Sequence, residues 1–169
     1  MNTALLVIDI QNDYFPGGAY PLWNTADTLD ATVTAIGRAQ ARGELVVLVQ
    51  HVALSPESPL FKAGTPGADI HPRILAAAPK APVVIKHYAD SFHETTLASI
   101  LDAHGMEHLH LAGMMTQNCV THTALSRAAD RYHIDVLADC TTTVDAAIHG
   151  FALNALSTRV EFLNGAEAA

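Results

Sequence analysis

Apolar and polar positions fall in blocks along this chain. Ala4-Leu5-Leu6-Val7-Ile8 is a continuous apolar run that stops at Asp9, the pattern of a strand buried on both faces. Thr25 to Arg42 follows with Leu29, Val33, Ile36 and Ala39 at helical spacing, and Gly43 is placed to stop the helix. Leu45 to Val49 predicts a second buried strand, ending near Gln50 and His51. Periodicity then fails from Ala53 to Pro82, where six prolines and two glycines punctuate the chain around one short helix near His71 to Ala78. A loop of this length usually serves as a lid or a pocket wall. Val83-Val84-Ile85 predicts a third strand leading into Lys86. Thr95 to Ala103 reads as a helix closed by Gly105, His108 to Ala112 as a fourth strand and Val120 to Tyr132 as a helix. Ile134 to Ala138 gives a fifth strand, Thr143 to Leu156 a helix and Val160 to Leu163 a short sixth strand.

Regular alternation of helices with uninterrupted apolar strands predicts an α/β protein: a three-layer α/β/α sandwich with a six-stranded, mainly parallel sheet. The 169 residues suit one domain spanning 1–169, with no repeat or linker. Half the residues are hydrophobic and 15% are charged, which excludes a disordered tail or a coiled coil. Nine Lys and Arg against seventeen Asp and Glu give a net charge of −8, so no nucleic-acid partner is expected. No apolar run approaches the roughly 20 residues of a membrane span. The first ten residues lack a basic stretch and contain Asp9, so a cytoplasmic location is expected. Two cysteines, Cys119 and Cys140, cannot make a disulfide framework.

Parallel sheets of this kind bind ligands at the carboxyl ends of their strands. There the first strand delivers Asp9 and the third Lys86, while Cys119 follows the fourth at the predicted start of a helix. Each residue type alone has an ordinary structural use; a carboxylate, an ammonium and a thiol on one edge point to chemistry. A helix start favours the thiolate and offers N–H groups to an oxyanion. Asp9 can take the thiol proton and return it to a leaving amine, and Lys86 can hold Asp9 ionised. On these residue types, Lys86→Ala is expected to cripple turnover and leave the fold intact.

The stretch Leu6-Val7-Ile8-Asp9-Ile10-Gln11-Asn12-Asp13-Tyr14 carries a resemblance, with Lys86, with Ser91-Phe92 followed by Thr96-Leu97, and with Gly113-Met114-Met115-Thr116-Gln117-Asn118-Cys119-Val120 and the late Asp139. In this order they resemble the isochorismatase-like cysteine hydrolases, the superfamily that includes nicotinamidase and N-carbamoylsarcosine amidase. The resemblance implies a Cys-Lys-Asp triad at Asp9, Lys86 and Cys119, and hydrolysis of a small amide, carbamoyl or ureido C–N bond through a thioester. It also implies a cis Met114–Met115 bond, with the backbone N–H groups of Met115 and Cys119 facing the substrate oxygen. Gln11, Tyr14, His51 and Phe92 are the expected substrate-site residues. A small-molecule substrate and a homo-oligomer, dimer or tetramer, are implied as partners.

Nicotinamidases carry a metal site with an Asp-x-His pattern after the second strand. Here that stretch reads Val49-Gln50-His51, without the aspartate. His51 and His71 remain, and two histidines without the carboxylate make a poor site, so no metal or other cofactor is expected. Isochorismatases proper cleave a vinyl ether without the cysteine, and that chemistry is the alternative enzyme reading. A noncatalytic binding protein on the same fold is the alternative outside enzymology. A flavodoxin-like binding module is disfavoured because the first strand runs into Asp9 with no Gly-rich phosphate loop after it, and a thiol redox protein because there is no Cys-x-x-Cys.

Overall fold

In the computed structural model, which describes residues 2–166, six strands pair in the order β3-β2-β1-β4-β5-β6. They are β1 Thr3–Ile8, β2 Leu45–His51, β3 Val83–Lys86, β4 His108–Met114, β5 His133–Thr142 and β6 Glu161–Leu163. Every neighbouring pair is parallel. β1 and β4 are buried at every position, β1 through the apolar run Ala4 to Ile8 and β4 with two histidines, His108 and His110, among its apolar residues. One sheet face packs on α1 (Thr25–Ala41) and α2 (Pro72–Ala77) through Leu5, Val7, Ile36, Leu48 and Ile74. The other packs on α3 (Leu97–Ala103) and α5 (Ala146–Leu156) through Leu6, Ile8, Leu101, Leu111 and Leu156. Each such side chain, fully buried, contributes about 1.5–3 kcal/mol. Among the described residues, no helix is long and apolar enough to cross a membrane.

The predicted helix from Val120 to Tyr132 is not one helix. The chain makes a π-helical turn at Thr116–Val120, one α turn, α4, at Thr121–Ala124, and a 3-10 turn at Arg127–Ala129. Ser126 causes the break: its hydroxyl accepts the Ala128 N–H, a local bond that competes with the helical ladder. Similarly, α5 starts at Ala146 because Asp145 caps it by accepting the Ile148 N–H at 2.8 Å. Observed strands run past the apolar stretches into Gln50, His51, Lys86 and Thr142, so the ladder carries polar residues to the sheet edge.

Strand order reverses between β1 and β4, which puts a crevice at their carboxyl ends. Gly113 allows their close approach: at φ +135, an added Cβ would overlap the Ile8 carbonyl. The 53–82 loop is pinned across this edge. Gln11 and Gln50 both donate to the Ala68 carbonyl, at 2.7 and 2.8 Å, and Asn12 donates to Pro66. The Asp13 carboxylate accepts the N–H groups of Phe61 and Ala19. Gly67 lies against that carboxylate with no room for a Cβ. Gly67→Ala is therefore expected to loosen this loop and lower stability by about 1–3 kcal/mol, read from the urea unfolding midpoint.

Candidate active site

Asp9 is the first residue past β1, and its backbone sits in the left-handed region at φ +53. An aspartate there is strained by about 1–3 kcal/mol, and such strain gathers at functional sites. Its N–H still donates to Val49 at 3.0 Å, so the turn is anchored to β2. β3 delivers Lys86 to the same edge, and the π-helical turn after β4 delivers Cys119. Asp9 and Lys86 are 0% exposed and Cys119 is 2% exposed.

Lys86 Nζ is the hub. It lies 2.8 Å from Asp9 Oδ2, 2.9 Å from the Tyr88 carbonyl, 3.0 Å from His51 Nδ1 and 3.3 Å from Cys119 Sγ. Four acceptors meet three protons, and sulfur is the farthest and weakest of them. The approach to Asp9 is off the hydrogen-bonding direction, and neither carboxylate oxygen has an aligned partner among the described residues. That leaves Asp9 as an acceptor for the thiol proton, since Asp9, His51 and Cys119 bring ligand atoms within 4.8 Å of one another.

Burial pushes the Cys119 thiol well above its ordinary pKa; the Asp9 carboxylate adds to this and Lys86 opposes it. This corrects the expectation of a thiolate favoured by a helix start. Cys119 is the fourth residue of its turn rather than the first, and it sits in a dry pocket beside a carboxylate. For Lys86, burial works to lower the pKa, but the Asp9 carboxylate, first, and the neighbouring Cys119 outweigh it and the ammonium is favoured. Burial, then the Lys86 charge, pulls His51 below its ordinary pKa. His51 is accordingly neutral, with Nδ1 accepting from Lys86 and Nε2 carrying the proton.

The other expected residues take distinct positions. Gln11 is fully buried and spends its amide on the chain, donating to the His51 and Ala68 carbonyls and accepting the His51 N–H at 2.8 Å. It fixes the end of β2, and with it the His51 ring. Tyr14 packs edge-on against Phe61 at 4.8 Å, and Phe61 lies 5.5 Å from the His51 ring. Burial raises the Tyr14 pKa, so the phenol is neutral. Phe92 stacks on Tyr132 at 6.1 Å and shares an apolar cluster with Cys119. The Met114–Met115 peptide is cis, as the resemblance implies. His149 was not anticipated; its Nδ1 lies 2.9 Å from the Thr116 hydroxyl, one residue after Met115. Phe61 was missed as well, being a lone aromatic in a stretch without periodicity.

The nicotinamidase-type metal does not fit these residues. The His71 imidazole caps α2 by accepting the Arg73 N–H at Nδ1. The nitrogen that His51 turns toward Asp9 and Cys119 already meets the Lys86 ammonium, which repels a second cation. Cys140 is fully buried near the end of β5, where its thiol donates to the Asp139 carboxylate at 3.5 Å.

Residues 3–167 match the isochorismatase domain model. The chain is 35% identical to the isochorismatase family protein YddQ of Bacillus subtilis, over 85% of this chain and 79% of that protein. It is 26% identical to the nicotinamidase/pyrazinamidase of Mycobacterium tuberculosis, over 92% and 94% of the two chains. A crystal structure of a proposed isochorismatase hydrolase from Oleispira antarctica superposes with a TM-score of 0.88 at 33% identity, covering 98% of this chain and 94% of that one. The dense buried cluster of Asp9, Lys86 and Cys119 thus stands on a known hydrolase scaffold, and the chain belongs to the isochorismatase family.

Proposed function

We propose that this protein is a cysteine-dependent amidohydrolase acting on a small amide, carbamoyl or ureido compound. The observation that carries the reading is the buried Lys86 ammonium within 2.8 Å of Asp9 Oδ2 and 3.3 Å of Cys119 Sγ. The nicotinamidase/pyrazinamidase relative supports amide chemistry.

In this reading the resting thiol is protonated. As substrate binds, Asp9 takes the Cys119 proton and Sγ attacks the carbonyl carbon, forming the C–S bond and a tetrahedral oxyanion. The backbone N–H groups of Met115 and Cys119 hold that oxyanion. Collapse breaks the C–N bond, and Asp9 hands its proton to the departing nitrogen, releasing ammonia or an amine. Water then gives a proton to Asp9 and attacks the thioester. The second collapse returns the proton to sulfur and frees the acid. Lys86 keeps Asp9 charged between these steps. His51 offers its Nε2–H to a polar substrate atom, and Tyr14, Phe61 and Phe92 wall the site.

The test is ammonia release from a panel of small amides, carbamoyl and ureido compounds, run with and without neutral hydroxylamine. A thioester partitions to the hydroxamate, so hydroxamate should appear at the expense of the acid. Turnover with no hydroxamate would overturn the thioester. Cleavage of a vinyl ether that survives Cys119→Ala would favour ether hydrolysis instead.

A further inference from the structure

At the opposite edge of the sheet, β4 opens with His108-Leu109-His110 and β5 with His133-Ile134-Asp135. Spacing by two puts each pair on one face, and the β4–β5 register sets His108 beside His133 and His110 beside Asp135. Three imidazole Nε2 atoms converge on the Asp135 carboxylate. His108 lies 2.7 Å from Oδ2, His110 3.5 Å from Oδ2 and His133 3.4 Å from Oδ1.

Asp135 is 3% exposed and His110 1% exposed, yet Asp135 Oδ1 and His110 Nε2 have no hydrogen-bond partner. A buried carboxylate left this way is costly unless something else meets it. Among the described residues no arginine or lysine forms an ion pair with it. The His133 side chain is half exposed and borders a hollow of about 320 Å³, lined also by Tyr132, Ser157 and Arg159.

We propose that His108, His133 and Asp135 form a transition-metal site of the Zn²⁺ class, with the fourth position open to water and His110 buttressing the carboxylate. The ligand atoms of the three residues already lie within 4.8 Å of one another. Two ligands about 2.0–2.1 Å from a tetrahedral ion lie about 3.3–3.4 Å apart, which the His133–Asp135 separation matches. His108 must give up the Nε2 proton it donates to Asp135 and draw back by about half an ångström, a shift that one χ rotation supplies. Imidazole with carboxylate suits zinc, cobalt or nickel rather than calcium or magnesium. An ion here joins the amino ends of β4 and β5 and lies across the sheet from the triad, so it braces the fold and takes no part in the hydrolysis.

The test uses untagged, metal-stripped Cys119→Ala protein, so that the thiol at the other edge cannot bind the probe. Titration with Zn²⁺ by calorimetry should show one saturable equivalent, and Co²⁺ should give the visible absorption of a four-coordinate ion. His133→Ala, a half-exposed position, should weaken Zn²⁺ binding at least about tenfold and abolish that absorption. Asp135→Asn should do the same, with its fold checked by circular dichroism. In protein with Cys119 intact, His133→Ala should leave amide turnover unchanged. Absence of binding to Cys119→Ala protein, or equal Zn²⁺ affinity in His133→Ala, would overturn the proposal.

Discussion

Lys86→Ala should remove turnover and a large part of the folding free energy together. Asp9 and Lys86 are both 0% exposed and 2.8 Å apart, so deleting the ammonium strands a carboxylate in a dry interior. Breaking a buried pair from one side costs about 3–5 kcal/mol, against a total stability of about 5–15 kcal/mol for most proteins. The residue types alone pointed to an intact fold; burial of both partners changes that expectation. Turnover should fall by at least about 10²–10⁴-fold, because the Asp9–Lys86 pair that takes the thiol proton is then broken. A double variant, Lys86→Met with Asp9→Asn, separates the two effects. It should recover most of the lost stability in urea unfolding and none of the activity. A Lys86→Ala protein as stable as the wild type would mean that water reaches Asp9.

Asp9→Asn should move two readouts in opposite directions. Burial, first, and the Asp9 charge raise the Cys119 pKa, while Lys86 lowers it. With the carboxylate gone, burial still holds the thiol pKa up, but no negative charge opposes Lys86 and the thiolate becomes easier to form. Alkylation of Cys119 by iodoacetamide should then begin at lower pH than in the wild type. Amide turnover should nevertheless fall about 10²–10⁴-fold, since no acid remains to protonate the leaving nitrogen. Mass spectrometry of the Cys119 peptide across a pH series, beside ammonia release, checks both. If alkylation and turnover drop together, Asp9 is needed to form the thiolate and the resting-state assignment is wrong. Cys140 serves as an internal control, because burial, first, and Asp139 raise its thiol pKa too and it is 0% exposed.

Much of this was legible in the chain because parallel strands buried on both faces leave unbroken apolar runs. Ala4 to Ile8 and Leu45 to Val49 could be placed to within a residue or two. The residues closing each run, Asp9, His51 and Lys86, then fell on one edge by topology alone. The region after Val120 was misread because Ala124, Ala129 and Tyr132 keep a roughly helical spacing and are buried. Nothing in that spacing shows that Ser126 diverts the backbone. Thiol electrostatics was illegible for a different reason. A sequence places Cys119 near a turn, but the sign of its shift depends on how dry the site is and on a carboxylate more than a hundred residues away. The His-x-His pair at 108–110 and the His-x-Asp pair at 133–135 drew no reading from the sequence. Their meeting depends on β4–β5 register, which no local pattern sets.

The strand order also bears on how the protein acquires its activity. Asp9 follows β1, Lys86 ends β3 two places along the sheet, and Cys119 follows β4 on the other side of β1. No contiguous fragment shorter than this span holds all three groups. Contacts so distant along the chain are won late, after the loop-closure entropy of several crossovers has been met. Catalysis therefore reports on completion of the β3-β2-β1-β4 part of the sheet, and recovered turnover during refolding should trail recovered helix signal.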